Sequence, residues 1–182
     1  MIRTITRLNS LFSFLAKGHT LLPFVARFSF AAVLFVYFWR SAMTKLGDGV
    51  FGLFSPSAGA YAQIFPKVME QVSYDTSQMT AFHTMVVLFG TWAEFILPVL
   101  ILVGLFTRPA ALGMIGFIAV QTLTDLYGHG LIQHSKSVGA WFDNAPDALI
   151  MDQRLLWLMP LLILITYGGG PLSLDRIAER QS

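Results

Sequence analysis

Two residues of opposite charge, Arg27 and Glu94, each lie inside an apolar segment long enough to cross a lipid bilayer. A charge at the centre of a bilayer costs about 2.5–3.5 kcal/mol on insertion scales, so such side chains pair, face a helix bundle or mark a functional pathway. We predict that Arg27 and Glu94 form a buried pair inside the protein and carry its chemistry. The open alternative is that Arg27 extends to the lipid headgroups while Glu94 bonds a neighbouring helix.

A cavity beside Glu94 is the second expectation. Pro98 cannot donate a hydrogen bond to the carbonyl of Glu94, so a kink is predicted there. His83 lies eleven residues before Glu94, close to three helical turns, and therefore on the same face. Further polar residues near the helix ends complete the predicted ligand-binding set, which is His83, Gln121, Asp125 and Lys45. The competing interpretation is that these are ordinary polar residues at helix ends.

Composition excludes several kinds of chemistry. The chain has no cysteine, which excludes thiol–disulfide relays, thiolate metal sites and iron–sulfur ligation. Its four histidines form no ligand pair on a helix, so no metal site is predicted. The basic residues are scattered and form no stripe, so nucleic acid is not an expected partner. Only 12% of the residues are charged, against roughly 25% in an ordinary soluble domain.

The apolar segments that must position these residues are the membrane spans. An all-α, antiparallel four-helix bundle in the membrane is predicted as a single domain over residues 1–182, because each apolar run approaches the length of a bilayer crossing. The spans are residues 21–39, 81–106, 109–127 and 148–167, and only Thr107 and Arg108 separate the second from the third. Apolar residues at three- and four-residue steps predict an interfacial helix over residues 2–17.

The distribution of lysine and arginine predicts the orientation. Both termini and the short turn at Arg108 are expected in the cytoplasm, and both long connections, which carry most of the acidic residues, outside.

Two stretches resemble the DoxX family. AEFILPVLILVGLFTRPAAL, residues 93–112, is similar to that family's glutamate-containing helix and hairpin, and GGGPLSLDR, residues 168–176, is similar to its ending. The resemblance implies a four-helix inner-membrane protein related to small subunits of thiosulfate:quinone oxidoreductase. The matching positions are Arg27, Lys45, Glu94, Thr107, Arg108, Ser173 and Asp175. Asp175 is expected to cap a short terminal helix or to pair with Arg108.

The expected function is a quinone-interacting or redox-accessory subunit of an inner-membrane oxidoreductase system. The cofactor stays open, with quinone as the candidate. Its partners would be the lipid bilayer and other membrane or periplasmic subunits. Two alternatives stay open: a non-catalytic membrane scaffold or assembly protein, and a proton-coupled small-solute transporter. Whether the chain has catalytic activity of its own also stays open.

Overall fold

The structure is a computed structural model that describes residues 21–181, and within that range it is helical with no β-strand. The predicted interfacial helix over residues 2–17 lies outside the described residues. The helices are α1 (Leu21–Lys45), α2 (Ala58–Ile64), α3 (Pro66–Gln71), α4 (Ala81–Val103), α5 (Thr107–Gly128), α6 (Ser135–Val138), α7 (Met151–Tyr167) and α8 (Leu174–Glu179).

Three helices, α1, α4 and α5, are long and apolar enough to cross a membrane. The fourth predicted span corresponds to α7, which has 17 residues. Helix α1 packs on α4 and α7, and α5 packs on the same two helices. We call the end where α1 begins and α7 ends the terminal end. The opposite end, which carries the connections 46–80 and 129–150, is the loop end.

Helix α1 continues past the predicted boundary at Trp39 to Lys45. Its buried side chains recur every four residues: Ala26, Phe30, Leu34, Phe38 and Ala42. In a uniform α-helix such a row would drift about 40° around the axis per step, since 3.6 residues make one turn. The π-helical stretch Ala31–Phe35 has more residues per turn and offsets the drift. The row therefore stays on one face, against core residues of α4, α5 and α7.

The α4–α5 turn lies earlier in the chain than the sequence predicts and comprises residues 104–106, because α4 ends at Val103 and because Thr107 and Arg108 belong to the first turn of α5. Gly104 ends α4 in the left-handed conformation, with φ 70°. A Cβ atom there would lie 2.5 Å from the Cβ of Ser173, so this position requires glycine. The turn thus packs directly against the chain that follows α7.

The connection after α1 folds back along α4. The Trp92 indole donates a hydrogen bond to the Leu53 carbonyl at 2.8 Å, and Phe54 packs on the Trp92 ring. Trp92 lies eleven residues into α4, about 16 Å along its axis from the loop end. Residues 47–52 have the spacing G-x-G-x-x-G, but the Gly47 and Gly52 amides bond carbonyls of the same loop. Here the glycines serve a tight turn.

Candidate functional site

Glu94 is buried in an ion pair with Lys45, the last residue of α1. The Lys45 Nζ lies 2.8 Å from Oε2 and 3.0 Å from Oε1 of Glu94. Ser41, one turn before Lys45, donates to Oε1 at 3.0 Å and accepts from Nζ at 2.7 Å. Lys45 and Glu94 are 5% and 3% exposed. Their charges are thus neutralised inside the helices, where an isolated charge would be costly.

Arg27 does not pair with Glu94, so that prediction is wrong. Its guanidinium donates to the carbonyls of Ile101 at 3.2 Å, Gly169 at 3.1 Å and Leu172 at 3.0 Å, and also to that of Leu102. The last carbonyls of a helix have no partner within it and attract cations, so Arg27 caps the end of α4.

The direction of side chains along α1 explains why Lys45, and not Arg27, pairs with Glu94. Side chains on a helix point back toward its N-terminus. On α1 this directs Arg27 toward the terminal end, away from Glu94. The same rule directs Lys45 from the far end of the helix back toward Glu94.

Asp175 connects α8 to the α4–α5 turn. Its carboxylate accepts from the Phe106 amide at 2.7 Å, and from the Thr107 amide at 2.9 Å and hydroxyl at 2.7 Å. Burial raises the pKa of Asp175, but these hydrogen bonds and the nearby Arg27 outweigh it, so the pKa lies below its usual value.

The two expectations for Asp175 are therefore corrected. It caps the start of α5, while Ser173 caps the terminal helix α8 by accepting from the Arg176 amide at 3.2 Å. Arg108 donates to the Thr166 carbonyl at 3.3 Å instead of pairing with Asp175. The reason is the close contact at Gly104, which places the start of α8 directly over the first amides of α5.

Another polar network, centred on Arg154, joins α1, α5 and α7 in the half of the molecule nearer the loop end. Arg154, only 6% exposed, donates to Asp125 Oδ2 at 2.7 Å and to Gln121 Oε1 at 2.9 Å. Its guanidinium also lies 4.3 Å from the centre of the Trp157 ring. The Gln121 amide then donates to the Tyr37 hydroxyl at 2.8 Å. Arg154 thus holds both Gln121 and Asp125, which lie one turn apart on α5.

The Lys45–Glu94 network and the Arg154 network border one cavity of about 780 Å³ between α1, α4 and α5. Its polar lining comes from Tyr37, Ser41, Lys45, Gln63, Gln121, Thr124, Asp125 and His129. Small residues on the facing helices leave the space, and these are Gly90, Ala93, Gly113 and Gly116. Exposed apolar side chains border the opening between α4 and α5, among them Phe82, Phe89 and Val120. The cavity therefore combines an apolar opening with polar groups from α1 and the loop end of α5.

Of the predicted ligand-binding residues, Gln121, Asp125 and Lys45 line this cavity, and His83 lies outside it. His83 is the third residue of α4, where its ring bonds the Thr80 hydroxyl at 2.9 Å and completes a capping box. It also packs edge-on against Phe65. These contacts at the start of α4 turn the ring away from the cavity.

Glu94 is separated from the cavity by its partners Ser41 and Lys45, which line it. Sequence reasoning missed Tyr37, Ser41 and Arg154 as members of the site. A signal existed for Arg154, which is a charged residue at the start of an apolar run. Nothing in the sequence distinguished Tyr37 from other aromatic residues near span ends.

In a comparison with protein families, residues 22–125 match the family described as DoxX. That range contains Arg27, Lys45, Glu94 and the two cavity residues Gln121 and Asp125. It ends before α7, and so before Arg154. No curated protein and no solved structure matches the chain.

Proposed function

Because the chain belongs to the DoxX family, we propose that it is a quinone-binding accessory subunit of an oxidoreductase system in the bacterial inner membrane. In this proposal α7 is a fourth span, the four long helices form an antiparallel bundle, and both termini are cytoplasmic. The excess of lysine and arginine over acidic residues at the terminal end supports this orientation.

The observation that carries the proposal is the amphipathic cavity. Its volume of about 780 Å³ falls within the range of about 300–1,000 Å³ typical of small-molecule sites. Its opening lies between α4 and α5, two helices long and apolar enough to span, and is bordered by exposed Phe82 and Phe89. In a bilayer this opening faces acyl chains. A ligand dissolved in the membrane, with an apolar tail and a polar head, would therefore reach the polar groups directly.

The residues present fit a quinone. Its carbonyl oxygens need donors, and its reduced form needs acceptors. Asp125 accepts from Arg154 at Oδ2, and within residues 21–181 its Oδ1 accepts no hydrogen bond, so that oxygen is available. The His129 Nε2 lies 2.9 Å from the Gln63 carbonyl, so Nε2 carries a proton, and in the neutral imidazole Nδ1 is then an acceptor. A bound quinone would supply two-electron redox chemistry, and these atoms would hold the protons.

The Lys45–Glu94 pair would act beside the ligand as a support. The Lys45 Nζ already has four acceptor atoms within hydrogen-bond distance, on Glu94 and Ser41, for its three protons. We therefore propose that the pair holds α1 against α4 and keeps the cavity wall electrically neutral. Arg27 would also have a structural role, because it caps α4 at the terminal end.

Filling the cavity tests this function. A Cβ atom added to Gly116 meets nothing within 4 Å, so Gly116→Leu should occupy the cavity without disturbing the helices. The matched control is Ala119→Leu, at an exposed position of α5 that is not part of the cavity lining. Each protein is purified in lipid nanodiscs with decylubiquinone, and the bound quinone is measured by mass spectrometry.

We expect the wild type and Ala119→Leu to retain the quinone, and Gly116→Leu to lose most of it. If the wild type retains no more quinone than an unrelated membrane protein of similar size, the proposal is wrong. In that case, co-purification of partner proteins with Gly116→Leu at wild-type levels would support the scaffold alternative.

A further inference from the structure

The polar network at the cavity has a defined hydrogen-bond direction. Arginine has donors and no acceptor, so the atom of Gln121 that faces Arg154 must be its carbonyl oxygen. The rotated amide would place two donors against each other. The NH₂ group of Gln121 therefore faces Tyr37 and donates to its hydroxyl at 2.8 Å. The ion pair of Arg154 with Asp125 keeps the guanidinium in place.

The consequence concerns the hydroxyl proton of Tyr37. Since the Tyr37 oxygen accepts from Gln121, its own O–H must find another acceptor. No such acceptor for the hydroxyl occurs within residues 21–181. Tyr37 lines the cavity and is 41% exposed. Its ring packs edge-on against Phe38 and tilted against Trp157, at centroid distances of 5.1 and 5.2 Å. The donor is therefore fixed in position and unused.

We propose that Tyr37 is the hydrogen-bond donor to a carbonyl oxygen of the ligand, and that Gln121 and Arg154 are positioning residues that aim its proton. The inference rests on the proposed function and names the recognition contact within it. It also specifies the chemistry of the ligand head, which must present an acceptor such as a quinone carbonyl.

Removing the hydroxyl tests the contact. Tyr37→Phe keeps the ring and its packing, so decylubiquinone binding in nanodiscs should weaken about fivefold to tenfold, the effect of one hydrogen bond. The control is Tyr61→Phe, which removes the bond to Thr84 Oγ1, 3.0 Å long, away from the cavity. That variant should bind with the wild-type affinity.

Reversing the network gives a second, sharper test. In Gln121→Glu a carboxylate still accepts from Arg154 but cannot donate to Tyr37, so the Tyr37 proton should turn toward Glu and away from the ligand. Binding should weaken as in Tyr37→Phe, and the double variant should lose nothing more. Infrared difference spectra should show one quinone carbonyl band at reduced frequency in the wild type, and that shift should vanish in both single variants.

The outcomes separate the two proposals. A wild type that retains no decylubiquinone contradicts the proposed function itself. A wild type that binds, with Tyr37→Phe equal in affinity and carbonyl band, leaves the function standing and overturns the role of Tyr37. Weaker binding of Tyr37→Phe with the wild-type shift of the carbonyl band retained would also overturn that role, since it would show that Tyr37 only supports the fold.

Discussion

Glu94 and Lys45 show how single residues make a charge acceptable inside an apolar helix. The carboxylate accepts from Lys45 with both oxygens and from Ser41 with one, and neither charged side chain is more than 6% exposed. Replacing both members of such a pair by apolar residues is often nearly neutral, whereas removing one leaves a buried, uncompensated charge. The pair should therefore behave as a unit under mutation.

Lys45→Ala and Glu94→Ala should each lower the free energy of unfolding by about 3–5 kcal/mol, because each leaves one charge buried alone. The double variant should lose clearly less than the sum, as measured by denaturant unfolding in detergent. Arg27→Ala combined with Glu94→Ala is the control, and its effects should add because the two residues share no hydrogen-bond partner. Coupling between Arg27 and Glu94 of similar size would contradict the pairing described here.

At the scale of elements, the DoxX-like motifs of the terminal end form one contact. Asp175 at the start of α8 binds the first amides of α5, and the Asp175 amide donates to the Gly104 carbonyl at 2.9 Å. Arg27 from α1 binds carbonyls of the same region. The two segments with family resemblance are therefore parts of a single structural unit that joins α1, α4, α5 and α8.

The lowered pKa of Asp175 predicts a dependence of stability on acid pH. Its folded pKa lies below the value of about 3.9 found in unfolded chains, so the unfolded state binds more protons between the two values. The contribution of Asp175 is fully present above about pH 4 and is lost as the pH falls through the folded pKa. Thermal unfolding between pH 2.5 and 7 should therefore show stability decreasing at the acid end.

Asp175→Asn removes the charge and should lower stability at pH 7 by about 1–3 kcal/mol. The difference between variant and wild type should shrink as the pH falls below 4. Asp143→Asn, in the exposed connection before α7, is the control and should leave the curve unchanged. A difference between Asp175→Asn and wild type that stays constant with pH would contradict the ionised state of Asp175.

For the whole molecule, the proposed arrangement requires α7 to cross the membrane although it has only 17 residues. Its length is about 25 Å at 1.5 Å per residue, somewhat less than a typical hydrocarbon core of about 30 Å. Helix α7 packs against α1 and α5, both long enough to span. That packing favours a crossing orientation over a position at the surface.

Single cysteine variants test this arrangement directly, because the chain contains no cysteine. With a membrane-impermeant maleimide on spheroplasts, cysteines at Ser73 and Asn144, both in the loop-end connections, should be labelled. A cysteine at Ser182 should react only after lysis. Labelling of all three positions before lysis would show that α7 does not cross, and labelling of Ser182 alone would reverse the orientation.

The sequence by itself determined which segments are helical and apolar, because burying backbone polar groups in a membrane requires continuous apolar helices. It also identified Glu94, Lys45, Gln121 and Asp125 as unusual, because polar residues near apolar spans need partners. It could not assign those partners. Which cation reaches Glu94 depends on the direction of side chains along α1 and on how that helix crosses α4.

Only the tertiary structure showed that Arg27 caps α4, that His83 is used at the start of its own helix, and that Arg154 from α7 orients Gln121. The physical reason is that hydrogen bonds between distant parts of the chain depend on positions accurate to about an ångström. Helical periodicity specifies the face on which a side chain lies, and packing decides the group that it meets.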